Sequence, residues 1–365
     1  MRYQLDRYTP LGVRLDVKQA FKSLSYVRTE NGMGALEAVV PLGLMQYEDL
    51  RKCQILELWR EKNGKLSLQN ETAYFLMDWE LLSSGGEKLV RLLAYDANWL
   101  LSTRIVAYDA GSAQAEMTDY ADDMMKAIVT DNLGVDTSGG RDISSYLTIA
   151  SDLSASQSIT KAFSRRNVLR VCQEIAEAAT SAGTRTYFDV VRTGIGKFAF
   201  RTYTGQRGKD HGRTSSDIRL VGEQYGSFDK ITFGTYHSQE VNYVYGGGQG
   251  EESNREIVEV SDGDRISVGY PFNRIEDFVD ARNIKTTAGV TAEANAGLRD
   301  GMPRQVLSGR LQDTDGMQYN IHYGFGDIVT AEAFGYRVDC HVTSVKMKYT
   351  PNSGEVIDVR LRGEL

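Results

Sequence analysis

The chain has 365 residues, 41% hydrophobic and 25% charged, with 36 Gly against 5 Pro and 20 Tyr. That length allows two or three domains with an ample core, and the Gly and Tyr counts point to many strands and tight turns. A formal net charge of −7 argues against tight nucleic-acid binding, and three scattered cysteines, Cys53, Cys172 and Cys340, argue against a disulfide framework or a thiolate metal site.

The odd cysteine count suits folding in a reducing cytoplasm. No charged-then-apolar leader and no apolar run of membrane-spanning length is apparent, so neither an export signal nor membrane insertion is expected.

Residues 1–105 read as β. "GVRLDV", "YVRTE" and "ALEAVVPL" alternate or run apolar. "QILELWREKNGKLSLQN" places two such runs around Asn63-Gly64, the preferred pair of a type I′ turn. "TAYFLMDWELLSSGGEKLVRLLAYD" repeats the pattern around Ser84-Gly85-Gly86. "NWLLSTRIV" then leaves the sheet. "MTDYADDMMKAIVTDNLG" predicts a helix with Tyr120, Met124, Ala127 and Ile128 on one face. Thr118 or Asp119 would cap its start, and Gly134 lies past its end. A second helix, in "RRNVLRVCQEIAEAATSAG", puts Val168, Cys172, Ile175 and Ala179 on one face before Gly183. "RTYFDVVR" and "GKFAFRTYTG" follow as a β pair.

From about residue 213 the β signal returns with "KITFGTYHSQEVNYVYGG". "REIVEVSD" and "DRISVGY" read as short strands, "TTAGVTAEANAGLRDG" as a helix. "RQVLSGRLQ" and the last strands alternate again, with a turn at Pro351-Asn352-Ser353-Gly354.

Few constellations carry chemistry. In "YVYGGGQGEES", Glu251 stands where a dinucleotide fingerprint needs its third glycine. A P-loop would end in Gly-Lys-Ser/Thr, whereas Gly250 is followed by Glu251-Glu252, whose charge repels phosphate. Gly246, Gly247, Gly248 and Gly250 are therefore read as a domain junction. His211, His237, His322 and His341 lack ligand spacing. The carboxylate pairs Asp78/Glu80, Asp122/Asp123 and Glu276/Asp280 could serve a glycosidase only across a cleft. "SRRNVLR", Ser164 to Arg170, is a small basic cluster whose charge opposes the helix dipole. No hydrolase, zincin or redox motif occurs.

"YPFNRIEDFVDARN", Tyr270 to Asn283, resembles a signature of the siphophage tail-hub family, the ReqiPepy-type hub proteins. Arg274, Glu276, Phe278, Val279, Asp280, Ala281 and Arg282 fit R-x-E-x-F-V-D-A-R. "GVTAEANAGLRDG" fits the helix after it, and "YNIHYGFGDIVTAEAFG" fits the next stretch with Gly326-Asp327 at its centre. "VTSVKMKYTPNSGEVIDVRLRG" resembles the closing hairpin, "NWLLSTRIV" the exit from the first barrel, and "VNYVYGGGQG" with Arg255 the strand-then-glycine stretch. Asn283 departs from the family, which usually has Asp there.

The expected fold is α+β, mainly β. Residues 1–105 would form a first small tube-like β-barrel and 106–212 an α+β domain. Residues 213–245 plus 306–365 would form a second barrel, interrupted by a module at 246–305. The resemblance implies a structural hub of a phage tail tip or baseplate, without catalysis or cofactor. It implies a homotrimeric ring that adapts a six-fold tail tube to a three-fold tip and lets DNA pass. Partners would be the distal tail and tail-tube proteins, the tape-measure protein, and tail-fibre or receptor-binding proteins. Assembly would take place in the host cytoplasm. Arg274, Glu276, Phe278, Asp280, Arg282, Gly326 and Asp327 are expected as fold or interface residues. The alternative is a tail-associated polysaccharide hydrolase or a carbohydrate-binding module, the latter needing an exposed aromatic platform.

Overall fold

In the computed structural model the described residues are 2–363, apart from 46, 63, 108–114, 136–139, 164, 251–253, 283, 285, 312–313 and 315. Asn63, Ser164, Glu251, Glu252 and Asn283, each singled out above, lie outside the described residues.

The alternating N-terminal sequence folds into eight strands: β1 (Arg2–Tyr8), β2 (Arg14–Lys18), β3 (Ser23–Thr29), β4 (Ala35–Pro41), β5 (Ile55–Lys62), β6 (Lys65–Leu68), β7 (Tyr74–Ser84) and β8 (Glu87–Asp96). A period of two sends alternate side chains to one face. Leu24 and Tyr26, then Leu36, Ala38 and Val40, then Val90, Leu92 and Ala94, are buried accordingly. Both hairpins form. Lys62 faces Lys65, with Gly64 at φ 75°. Ser84 faces Glu87 across Gly85 and Gly86, at φ 58° and 82°, a two-residue turn that suits glycine.

A short helix α1 (Trp99–Ser102) leads out of the sheet, followed by β9 (Ala115–Tyr120), α2 (Ala121–Leu133), β10 (Leu147–Ile149), β11 (Ser158–Phe163), α3 (Val168–Ser181), β12 (Thr186–Gly194) and β13 (Lys197–Thr204). Met124 and Ile128 of α2 share a core with Val168, Cys172, Ile175 and Ala179 of α3 and with aromatic residues of β12 and β13. Asn167 caps α3 by accepting a hydrogen bond from the Arg170 N–H. The start of α2 differs from expectation. Thr118 and Asp119 lie in β9, paired with β11, and the cap position is Tyr120, which is exposed. Strand pairing claims the segment in which a capping side chain was expected.

The remainder comprises β14 (Asp210–His211), β15 (Leu220–Gly222), β16 (Phe228–Tyr236), β17 (Tyr243–Gly247), β18 (Ile257–Ser261), α4 (Gly263–Val268), β19 (Glu276–Asp280), α5 (Thr287–Asp300), β20 (Arg304–Leu311), β21 (Ile328–Ala333), β22 (Tyr336–Thr350) and β23 (Gly354–Gly363). "DRISVGY", expected as a strand, forms α4 instead. Asp262 caps it by accepting from the Arg265 N–H, and the Arg265 guanidinium donates to the Val241, Leu298 and Gly301 carbonyls.

The chain is mainly β with α+β character. The main sheet runs β16-β20-β23-β22-β3-β4-β8-β7-β5-β1-β2. Strands from the two β-rich ends meet where β22 pairs antiparallel with β3, from Ser344↔Thr29 to Tyr349↔Leu24. They also share one core, in which Leu24, Leu36 and Leu92 join Val345, Met347 and Val359. Among the described residues the pairing path is open, and no closed barrel is present. A buried ion cluster rivets three parts of the chain. Asp189 of β12 accepts from Arg28 of β3 at 2.6 Å and from Arg207 at 2.7 Å. Burial raises the Asp189 pKa, but the two guanidinium groups outweigh it and hold the carboxyl below its ordinary value.

Candidate functional site

β16 and β20 are hydrogen-bonded neighbours, and the chain between them builds a separate three-stranded sheet. Its central strand is β17, antiparallel to β18 and parallel to β19. The strand before the glycines therefore belongs to the small sheet, not to the returning main sheet. Register puts Val244, Gly246, Val258 and Val279 on one face, where Val290 and Ala294 of α5 are fully buried. The other face carries Tyr243, Tyr245 and Gly247, then Ile257 and Glu259, then Glu276, Phe278 and Asp280.

The structure brings five of the expected residues together on that second face. Arg274 donates to Glu276 at 2.6 Å and to the Tyr245 hydroxyl at 3.0 Å, and its guanidinium lies 3.7 Å above the Tyr243 ring. Asp280 accepts from Arg255 at 2.5 Å and pairs with Arg282 at 2.6 Å. Hydrogen bonds from Arg282, and from Arg255 against a burial cost, hold the Asp280 carboxyl down to about 2. Arg255 also sits 5.0 Å over the Phe278 ring, which is 47% exposed. Sequence reasoning missed Tyr243, Tyr245 and Glu259. The alternation in "NYVYGG" was the available signal, since it sets both tyrosines on one face. At the end of α4 and in the segment before Arg274, Val268, Tyr270 and Phe272 are exposed, Phe272 to 91%.

The glycines have packing roles. A Cβ on Gly246 would lie 2.9 Å from Val258 Cγ2 and 3.0 Å from Ala294 Cβ. On Gly247 it would collide with Phe278 and Arg255, and on Gly248 it would lie 2.8 Å from Val290 Cγ2. Only Gly250, at φ 107°, occupies a turn that requires glycine. Gly246 and Gly247 lie within β17 because α5 and Arg255 need that close approach.

Gly326 and Asp327 lie in the turn just before β21 and do not join this group. The Asp327 carboxylate accepts from the Lys209 and Gly324 N–H groups, both at 2.6 Å, and its carbonyl accepts from the Val342 N–H at 2.9 Å. Gly326, at φ 84°, lies against Arg207. The pair fixes the entry to β21. His211 lies near Asp327 and Asp217, and His237 pairs with Glu240.

The other carboxylate candidates have partners too. Asp122 accepts from the Ala155 and Ser156 N–H groups and the Ser156 hydroxyl. Asp123 accepts from the Leu153 and Ser154 N–H groups, the Ser154 hydroxyl and Lys126. Glu80 pairs with Arg91.

The arrangement is a pre-paired surface of stacked arginines and aromatics, a composition enriched at protein–protein contacts. Arg274 covers one face of the Tyr243 ring and Arg255 one face of the Phe278 ring.

The fold is that of phage tail proteins. Over 100% of this chain and 97% of the other, it superposes on a tail protein from Neisseria meningitidis MC58 with TM-score 0.63 and 10% identity. The prophage MuSo2 43 kDa tail protein from Shewanella oneidensis gives 0.62 at 8% identity, covering 99% and 97%. The prophage tail protein gp18 from Listeria monocytogenes EGD-e gives 0.56 at 10%, covering 99% and 94%. No curated protein matches by sequence. The family model for the siphovirus ReqiPepy6 Gp37-like protein matches residues 13–361. The chain belongs to this family, and it is a structural protein of the phage tail.

Proposed function

We propose that this chain is the structural hub of a tail tip, and that copies close into a ring through the free edges of the main sheet. The observation that carries this reading is the run β16-β20-β23-β22-β3-β4-β8-β7. It takes four strands from each β-rich end and splices them at β22–β3. β16 pairs only with β20 among the described residues. β7 meets β5 only through Tyr74 and Phe75, so its outer edge from 77 to 84 is open there. Trp79 and Leu81 on that stretch are 37% and 52% exposed, while Ile231 and Phe233 of β16 pack partly against the core. Long unpaired edges invite pairing with another chain. Joining β7 of one copy to β16 of the next satisfies both edges, and a head-to-tail contact of this kind closes into a ring.

In this reading three copies form the ring. Two tube-like units per copy, residues 1–105 and 213–245 plus 306–365, match a six-fold tube above and a three-fold tip below. Residues 106–212 form the unit between them, and the inserted module starts nearer residue 237 than 246. Distal tail and tape-measure proteins meet the ring, DNA passes through it, and assembly occurs in the host cytoplasm. The inserted face with Arg274, Phe278 and Asp280 meets a neighbouring tail protein or fibre. The protein performs no catalysis.

Cysteines scanned over 79–82 against 231–234 in a Cys53→Ser background test the joint, with the native Cys172 and Cys340 buried and not competing. The expected result is disulfide-linked ladders ending at the trimer, with a three-copy mass by light scattering. A protein that stays monomeric and gives no cross-link overturns the reading.

A further inference from the structure

The main sheet presents a second face, opposite its core, and the charge on it is uneven. Lys346 and Lys348 of β22, and Arg360 and Arg362 of β23, alternate with the buried Val345, Met347, Val359 and Leu361 and are exposed. Lys230 of β16 is exposed on the strand at the far side of β20. Among the described residues, register gives this face of β22 and β23 two carboxylates: Asp358, opposite Lys346, and Asp339, two residues before the His341 that faces Arg362, the latter taken up by Arg213 at 3.2 Å. The neighbouring β3 offers Ser23, Ser25, Val27 and Thr29 there, without charge. Farther along, Arg91 is taken up by Glu37 at 2.7 Å and Glu80 at 3.2 Å.

A chain of net charge −7 thus gathers five cations on one half of one sheet face. No ion pair within 4 Å engages Lys230, Lys346, Lys348 or Arg360 among the described residues. Alternate residues on a strand stand about 6.8 Å apart, and adjacent strands about 4.8 Å apart. The cations therefore form a flat grid rather than a pocket. Such a grid suits a regularly spaced polyanion, and its serine, threonine and valine border carries no charged group that would read base edges.

We propose that this half-face, on β22, β23 and β16, is a phosphate-contact strip for duplex DNA. It touches the backbone only, weakly and without sequence preference. The proposal rests on the ring reading only for how DNA reaches the face, because the strip is complete within one copy. Exposed cations such as Lys346, Lys348 and Arg360 are screened within about 10 Å at 0.1 M salt. Contact is then short-ranged and salt-sensitive, which lets DNA slide rather than stick.

The test is fluorescence anisotropy of the full chain with a labelled duplex of about 30 base pairs, from about 50 to about 200 mM salt. Each phosphate contact adds about 0.9 to the steepness of log affinity against log salt. The Lys346→Gln/Lys348→Gln/Arg360→Gln variant should therefore lose about 2.7 from that slope. Lys52→Gln/Lys65→Gln/Lys88→Gln, which removes exposed lysines elsewhere, should lose none. Lys346→Arg/Lys348→Arg keeps the charge and should keep the slope, so it guards against a folding artefact in the triple variant. An unchanged slope in the strip variant overturns the proposal, as does polyglutamate bound through the strip in preference to duplex. Mass is measured on the same samples. A trimer with an unchanged slope sinks the strip alone, whereas a monomer whose slope falls sinks the ring reading alone.

Discussion

Asp123 commits both carboxylate oxygens to backbone and side-chain donors at Leu153 and Ser154, and to Lys126. Burial raises its pKa, but these donors, led by the Leu153 N–H, prevail and bring it from 3.8 down to about 2. A carboxyl lowered by folding stabilises the protein above its unfolded pKa, and that stabilisation fades as pH falls through the folded value. Asp123→Asn should therefore cost about 2 kcal/mol at pH 7, and the cost should be about 1 kcal/mol smaller at pH 3. Denaturant titrations of both proteins at the two pH values check this, and a cost independent of pH refutes it. From sequence, Asp122/Asp123 could be noticed only as adjacent acids. Their partners lie about thirty positions later, on a loop without periodicity, so no local pattern announced them.

At the scale of the element, most of the fold was legible because it is local. Alternation fixed the faces of β3, β4 and β8, and turn chemistry fixed both N-terminal hairpins. The failures came where a contact from outside the segment decided. Arg265, gripping three carbonyls, makes a helix of "DRISVG", and pairing with β11 takes Thr118 and Asp119 into β9. The glycine run belongs here too, since its meaning depends on α5 lying across β17. Gly246→Ala should destabilise the inserted sheet by about 1–3 kcal/mol through overpacking against Val258 and Ala294. Gly263→Ala, where the added methyl meets nothing within 4 Å, should change stability by less than about 0.5 kcal/mol. Hydrogen exchange over 243–300 separates the two, and equal protection in both variants would contradict the packing role.

Across the whole molecule, Asp189 ties β3, β12 and the segment at Arg207 together from within. Asp189→Asn leaves two buried guanidinium groups short of their counter-charge and should cost about 3–5 kcal/mol. A single cooperative melt shifted to lower temperature is the expected outcome. A shift confined to β12 and its neighbours would mean that the cluster does not couple the parts. This tie was invisible in the sequence, because Arg28 occupies an inward strand position where alternation predicts an apolar residue. The candidate face was half legible: the Arg274–Arg282 segment stood out by family resemblance, while its aromatic floor on β17 emerged only with the register.

The β3–β22 seam bears on how a ring of such chains could come together. In the proposed ring, half of the junctions between four-strand blocks would be the β3–β22 pairing made within a chain, at the concentration its own connectivity imposes. Those seams form on folding and do not depend on dilution. Only the alternate junctions carry the entropic cost of bringing separate molecules together. A hub built this way would have half as many junctions between separate molecules as one made from single-block subunits. No wrong order of blocks is available to it, because the polypeptide has already fixed which block follows which.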